Sequence, residues 1–555
     1  MGNPIHTLLQ SVHHLQDVAS FGAFSQGPDQ TASLPHTVTA TSTVTSTATA
    51  GTIVSTTGLT GAYEDYVGLV FEALDGNVKG QLVICTGFNE GTDTATTTPF
   101  WRTSGITTTQ FKIWKPPWPI VAVTSAGSTT EHTTAERDEA DDTWIGHYLL
   151  WLNGDNAGEI QQVSDSASGA QTITTAAFSN ASADGDVGLL VNPLAVEEVE
   201  IGLSPGIAIE RATVTDTLAK EGVLVGGQEP SSLRIMPEIR GLGTAAGDGV
   251  AASAPTELHA LLSSLFTETL DTGDVCVASG SDADTVIVDE ATAPVSQYSL
   301  VLINGEVAAV ESVTSGTPAD SSTIELVHSL SSVVADNDVM YAGANYAQKN
   351  SGHTSASFLV WQGGSPQKMS AFFGGLPSLA AEISGNVIGK YDFSFSFNAG
   401  LACDRSAGHT DPYDSSAPVV GRANVCRTVF DLTELDGDVI SAAFNFLPTP
   451  EHKTAAFSAF ENRGGVFYRS VDAGCTLVIQ QEDTSYRHRY RAGDEFDLLV
   501  QVGSVATNAW AVWAPRAQIV AIEEAKDNNV LQWSITCRFL RPSTSGQPAF
   551  VITHF

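Results

Sequence analysis

In KYDFSFSFN, Lys390 to Asn398, aromatic and polar residues alternate without a break: Tyr391, Phe393, Phe395 and Phe397 fall on one side, Asp392, Ser394 and Ser396 on the other. A period of two is that of a β-strand, so the segment predicts a strand with one face on a core and one in water. Similar segments, punctuated by turn residues, fill most of the chain. EVEIGLSPGIAIERATVT turns at Ser204-Pro205-Gly206, SLRIMPEIRGLG follows in the same style, and AQIVAIEEAKDNNVLQWSITCRFLRP reads as two strands joined through Lys526-Asp527-Asn528-Asn529. A helical period is found in SAPTELHALLSSLFTETL. There Leu258, Leu261, Leu262, Leu265 and Phe266 share one stripe, Ser253 is available as an N-cap, and Pro255 lies in the first turn. This predicts one helix packed on a sheet. Ile5, Leu8, Leu9, Val12 and Leu15 also recur at helical spacing, which predicts a short amphipathic arm packed against a neighbour.

The pattern repeats itself. YVGLVFEALDGNVKG, from Tyr66, and WIGHYLLWLNGDNAG, from Trp144, place Gly68, Gly76 and Gly80 against Gly146, Gly154 and Gly158 at one constant offset (146 − 68 = 154 − 76 = 158 − 80 = 78). The same offset carries Leu82 onto Ile160, Phe100 onto Phe178 and Ile113 onto Val191. A fixed glycine frame means recurring backbone turns, and Asp75-Gly76 and Asn153-Gly154 are hairpin dipeptides. Two copies are too few for a solenoid, so they read as tandem small β modules. The Ser/Thr-rich run Thr37 to Thr57 stands where VTSAGSTTEHTT stands before the second copy, and so belongs to the first module. KPPWP, Lys115 to Pro119, is a stiff join. Cys276 to Tyr346 resembles an inserted unit of the same style, with Asn304-Gly305 as its turn and no ungapped match. The predicted divisions are therefore 1–36 as an arm, 37–118 and 119–194 as the two modules, 195–275 with 347–555 as a larger domain, and 276–346 as its insertion.

Composition narrows the role. The chain has 25 Lys+Arg against 62 Asp+Glu, a formal charge of −37, which argues against a basic nucleic-acid footprint or attachment to an anionic membrane. No stretch approaches the ~20 apolar residues that would span a bilayer, and no charged n-region of a secretory signal precedes the first apolar run. Six cysteines, Cys85, Cys276, Cys403, Cys426, Cys475 and Cys537, are scattered without a CxxC pair and read as buried thiols.

Segments that imitate chemistry fail on mechanism. GLSPG, Gly202 to Gly206, has the form of a serine-hydrolase elbow, but the residue after its serine is Pro205, which lacks the N–H an oxyanion hole needs. DLTELDGDV, Asp431 to Val439, lacks the frame and distal glutamate of a calcium loop, and HTDPYD, His409 to Asp414, near Asp404, reads as a surface loop. YRHRYR, Tyr486 to Arg491, is the one basic cluster with aromatics. Taken as an alternating strand, it places Arg487, Arg489 and Arg491 on one face, for pairing with a neighbour's carboxylates. The expectation is a non-enzymatic protein with no cofactor, no metal and a structural or binding role.

From Ala195 onward, the order SLRIMPEIRGLG, APTELHALLSSLF, FLVWQGGSPQKMSAFFGGLPSLAAEISGNVIGKYDFSFSFNAGL and PRAQIVAIEEAKDNNVLQWSITCRFLRP resembles the major tail tube proteins of long-tailed bacteriophages of the siphophage type. GLVFEALDGNVKG and GHYLLWLNGDNAGEIQQV also resemble small β repeats that accompany phage virion proteins. The resemblance implies a mainly β fold: an antiparallel β-sandwich or barrel with one flanking helix, to which the small modules are added. It implies six copies in a ring, and rings stacked into a hollow tube around a tape-measure protein, closed by terminator or adaptor proteins. Such a tube is assembled in the host cytoplasm, belongs to the virion tail, and passes double-stranded DNA without binding it specifically. Carboxylates along a lumen would repel phosphate, the reverse of the basic groove that grips DNA by releasing counterions. Glu382, Asp392, Ser394 and Ser396 form the polar face expected to line that lumen, and the modules would decorate the outside. The alternatives are a surface adhesin or surface-layer protein built of β modules, which calls for an export signal or anchor, and a tailspike, which calls for a parallel β-helix.

Overall fold

The computed structural model describes isolated strands between residues 10 and 115 and most of the chain from 120 onward. Not described there are 135–143, 168–170, 203–205, 211–222, 229–230, 243–257, 278–280, 289–293, 317–320, 363–366, 407–425, 436–438, 455–462, 481–484, 528–529, 542–545 and a few single residues. The protein is mainly β, built of antiparallel sheets, a small closed barrel and two helices among the described residues.

The repeated glycine frame is visible in the strands. Val70–Ala73 and Leu82–Asn89 in the first copy map onto Tyr148–Trp151 and Ile160–Ala167 in the second by the same offset, at both ends of both strands. The hairpin register is shared too, Val70 opposite Ile84 and Tyr148 opposite Gln162. The core repeats with it: Tyr66, Phe71, Cys85, Ala95 and Ile113 are buried, as are Trp144, Leu149, Val163, Ile173 and Val191. Gly154 and Gly158 take positive φ, +76° and +86°, where a side chain would be strained. A Cβ on Gly154 would also stand 2.1 Å from Asp186 Oδ1.

The inserted segment repeats the plan more deeply than its sequence does. Its six strands, Asp274–Val277, Thr285–Val288, Leu300–Ile303, Glu306–Ser315, Ser322–Leu326 and Val339–Ala342, close a barrel. Numbered one to six in chain order, they lie in the order 1-6-3-4-5-2. The second module has six strands in that same order, and its ring is closed by the Val123–Thr134 bridge. The first module shares the run 6-3-4-5-2-1. Asn304 and Gly305, both at positive φ, make the two-residue turn that pairs Ile303 with Glu306.

The larger domain is laid out as follows. β1 (Gln10–Gln16), β2 (Val187–Leu194), β3 (Val196–Gly202) and β4 (Ser231–Pro237) precede the short helix α1 (His259–Leu265). Next come β5 (Ala356–Gln362), β6 (Gln367–Ser384), β7 (Lys390–Ser406), β8 (Cys426–Phe430), β9 (Val439–Leu447) and β10 (Gly474–Ile479). α2 (Ser485–Ala492), β11 (Glu495–Val505), β12 (Asn508–Asp527), β13 (Val530–Phe539) and β14 (Val551–His554) complete it. One side of the sandwich runs β1-β5-β6-β7-β4-β3, the other β9-β10-β13-β12 with β11, β8 and β14. β6 belongs to both: Ala371 and its neighbours pair with β5, while Leu379 to Ser384 pair with β9. Pro377 sits at the changeover, where that edge of the strand is between partners and a missing N–H costs nothing. The aromatic side of β7, from Tyr391 to Phe397, is fully buried in the core with Phe358, Phe444, Trp510 and Phe550, and the polar side is half-buried, as the alternation predicts. β12 and β13 form the expected closing hairpin, Asp527 opposite Val530.

Three sequence expectations are corrected. The N-terminal apolar spacing does not make a helix at Gln10–Gln16: β1 is a strand paired on one side with β2 and along its whole length with β5. Two sheet edges left open without it outweigh a helical spacing of few turns, since sheet pairing is decided by tertiary context. YRHRYR is α2, not a strand. Its alternation also suits a helix, Tyr486 supplies the buried contact, and Gly493 at φ +71° ends it, with the Gly493 and Asp494 N–H groups bonded back to the Arg489 carbonyl. Arg489 and Arg491 then fall in the last turn, where the helix dipole favours positive charge. α1 buries Leu258, Leu261, Leu262, Leu265 and Phe266 as predicted but is shorter, with Leu258 at its N-cap and no side-chain cap. Ser253 and Pro255 lie outside the described residues, as do KPPWP from Pro116 to Pro119, Ser204-Pro205, and His409 to Asp414.

Candidate functional site

The polar face of β7 is built by strand alternation and completed by β4 and β6 on either side. Ser394 stands opposite Arg234 of β4 and Ser378 of β6, and Lys390 stands opposite Glu382. The position diagonal to Arg234 is Asp392. Its carboxylate accepts two hydrogen bonds from that guanidinium, Nε to Oδ1 at 3.0 Å and Nη2 to Oδ2 at 2.7 Å, a forked pair. Arg234 Nη1 reaches Glu200 Oε1 on β3 at 3.5 Å, and Ser394 Oγ donates to Asp392 Oδ1 at 3.4 Å. Hydrogen bonding from Asp392, then its charge, holds the Arg234 guanidinium above its usual range. Ser396 Oγ lies 2.8 Å from His452 Nε2, and Glu382 is exposed.

All four predicted residues therefore share one face, but it is not a bare carboxylate ladder. The carboxylates of Glu198, Glu200, Glu382 and Asp392 stand with the cations Arg234 and Lys390, so the face keeps a net negative charge. Arg234 was legible as a polar position between Leu233 and Ile235. Its partner lies on a strand remote in sequence, a pairing no local pattern records.

Other groups with chemical potential are engaged in packing. His328 and Asp497 resemble the acid–imidazole pair of a hydrolase, with Nε2 2.5 Å from Oδ1. The Ala309 N–H points to Nδ1 at 3.5 Å and Trp513 Nε1 donates to the other carboxylate oxygen, so neither ring nitrogen is left to activate a nucleophile. The pair instead fastens the inserted barrel to β11 and β12. Arg427 Nη1 to the Val307 carbonyl and Gln501 to the Val307 N–H and Gly305 carbonyl add to that seam. In the acidic loop, Asp431 and Leu432 form a tight turn at positive φ, and Asp431 accepts from Arg489 at 2.5 Å. Arg487 pairs with Glu524 at 2.6 Å and lies over Trp533, so two of the three α2 arginines meet carboxylates of their own chain. A recess of about 430 Å³ is lined by His353, Phe467, Tyr468, Arg469 and Arg541, among others. Among the described residues no cluster of three or more metal-ligating side chains occurs, and no helix is long and apolar enough to cross a membrane.

Compared with known proteins, no protein-family model matches the chain and no curated protein is similar to it. What the fold defines is a mainly β protein of antiparallel sheets with barrel modules.

Proposed function

We propose that the protein is a structural component of a phage tail, six copies forming a ring and rings stacking into the tube through which DNA leaves. The polar face with Glu382, Asp392, Ser394 and Ser396 lines the channel, and the barrel modules stand outside it. The tape-measure protein fills the tube before ejection, and terminator proteins close it. The observation that carries this reading is the β6–β7 hairpin, 18 and 17 residues long, with one aromatic face in the core and one polar face that keeps a net negative charge. Such a face suits a duplex that must slide: the residual negative charge keeps phosphates off, and the Arg234–Asp392 fork denies them a free cation.

Negative-stain images and mass measurement of the purified protein across micromolar concentrations and salts test the proposal. Rings or hollow tubes of six-fold symmetry are expected. Elongated monomers at every concentration would overturn it in favour of a surface adhesin, and stout trimers in favour of a tailspike.

A further inference from the structure

Cys475 and Cys537 are distant in sequence and directly opposite each other in space, on the adjacent antiparallel strands β10 and β13. Both are buried free thiols within the same core cluster. Further along the ladder the Phe539 N–H donates to the Ala473 carbonyl at 2.9 Å, which marks that pair as hydrogen-bonded, and alternation makes the cysteine pair hydrogen-bonded as well. Opposed residues of that kind have Cα atoms about 5.5 Å apart, inside the roughly 4.4–6.8 Å range that a disulfide spans. The strands are also drawn close beside the pair: a Cβ on Gly474 would stand 2.3 Å from the Cys537 carbonyl oxygen. The two thiols already share a hydrogen bond, which with burial holds the Cys475 thiol well above its usual range. Cys85 and Cys276, by contrast, are buried in separate modules, where nothing in the ladder sets another cysteine opposite them.

We propose that Cys475 and Cys537 are a modification site, closing into a reversible cross-strand disulfide when the chain meets oxidised low-molecular-weight disulfides. The inference is independent of the tail-tube reading. One cysteine thiolate attacks a sulfur of the oxidant, forming a mixed disulfide and releasing one small thiol. The second cysteine then attacks the protein sulfur of that mixed disulfide and expels the other small thiol. Two protein thiols lose two protons and two electrons, and the oxidant's S–S bond is reduced. Both cysteines line a recess of about 400 Å³, together with Phe444, Thr476, Val520 and Thr536, so a small disulfide can approach the folded sheet. Burial of the two thiols makes that oxidation slower than oxidation during folding. Opposed residues of a hydrogen-bonded pair hold their Cβ atoms at the wide end of about 4.5–5.5 Å, beyond the roughly 3.5–4.5 Å of a relaxed disulfide, so closure draws β10 and β13 locally together and leaves a bond that is readily reduced.

The test uses the full chain and oxidised glutathione, with one sample treated when folded and one while refolding from urea. Digestion without reductant should give a Cys475–Cys537 linked peptide lighter by about 2 Da than the two thiol peptides together. The linked protein should unfold at a temperature higher by on the order of 5 °C, a gain that dithiothreitol abolishes. C475S and C537A should each lose both the linked peptide and the redox dependence of unfolding. Two separately alkylated cysteines in the refolding sample would overturn the proposal, as would a persistent glutathione adduct on either.

Discussion

Replacing Tyr391 with phenylalanine should cost the protein far more than one hydroxyl suggests. Trp510 Nε1 donates to the Tyr391 oxygen at 2.8 Å, the Tyr391 O–H donates to His554 Nε2 at 2.9 Å, and His554 Nδ1 donates to the Arg240 carbonyl at 2.7 Å. The chain of bonds fixes the imidazole as a neutral tautomer, and it ties β7 to β12 and β14 through the middle of the core. Trp510, Tyr391 and His554 are each 0% exposed, so water cannot replace what the mutation removes. Tyr391→Phe orphans an indole N–H and an imidazole nitrogen at once. At about 1–3 kcal/mol for each of the two buried groups left unpaired, the loss is about 2–6 kcal/mol. Urea unfolding followed by tryptophan fluorescence would measure it as a lower midpoint at unchanged slope. A shift worth less than about 0.5 kcal/mol would refute the reasoning and show that the network is not a source of stability.

The same imidazole makes stability pH-dependent. Burial lowers the His554 pKa to about 4 from the ordinary 6.5, so its neutral form is the one the fold accepts. Between those values the unfolded chain binds the extra proton: the contribution is intact above pH 6.5 and is lost progressively as pH falls toward 4. It amounts to about 3 kcal/mol, since each pH unit between those two values is worth about 1.36 kcal/mol. His132 and His353 are lowered by burial in the same direction, and thermal melts from pH 8 to 4 should fall with H554Q falling less. A double-mutant cycle on Arg234 and Asp392 should give a coupling of about 1 kcal/mol or less, because both side chains are about a third exposed. Deleting residues 1–16 should leave a chain that aggregates through the uncovered edge of β5, seen as concentration-dependent scattering, whereas loss of the first module alone should not.

Legibility in the sequence followed the range of the interaction. The side chains of β7 sort themselves by a period of two, and the repeated glycine frame is carried by residues that pack within one module, so both are written locally. The inserted barrel has the strand order of the second module without its residue frame, and the pairings of its six strands disclose it. YRHRYR satisfies two periods equally well, and what decides between them is Gly493 and the seat of Tyr486 in the core. The polar face was placed correctly by alternation. Its electrostatics were not, because Arg234 and Glu200 arrive from strands far away in sequence.

β1 sets a clock on the birth of the protein. Its last residue, Gln16, leaves the ribosome long before Ala356, the start of the strand that covers it. At roughly 5–20 residues per second, growth of the chain from one to the other is a wait of about 17–70 s. Over that interval the two modules can fold, each within its own contacts, while β1 has only its short pairing with β2 to hold it. The first strand of the large domain to be made thus waits for the fifth to give it a full partner, and its open backbone edge is offered meanwhile to any other nascent chain on the same message.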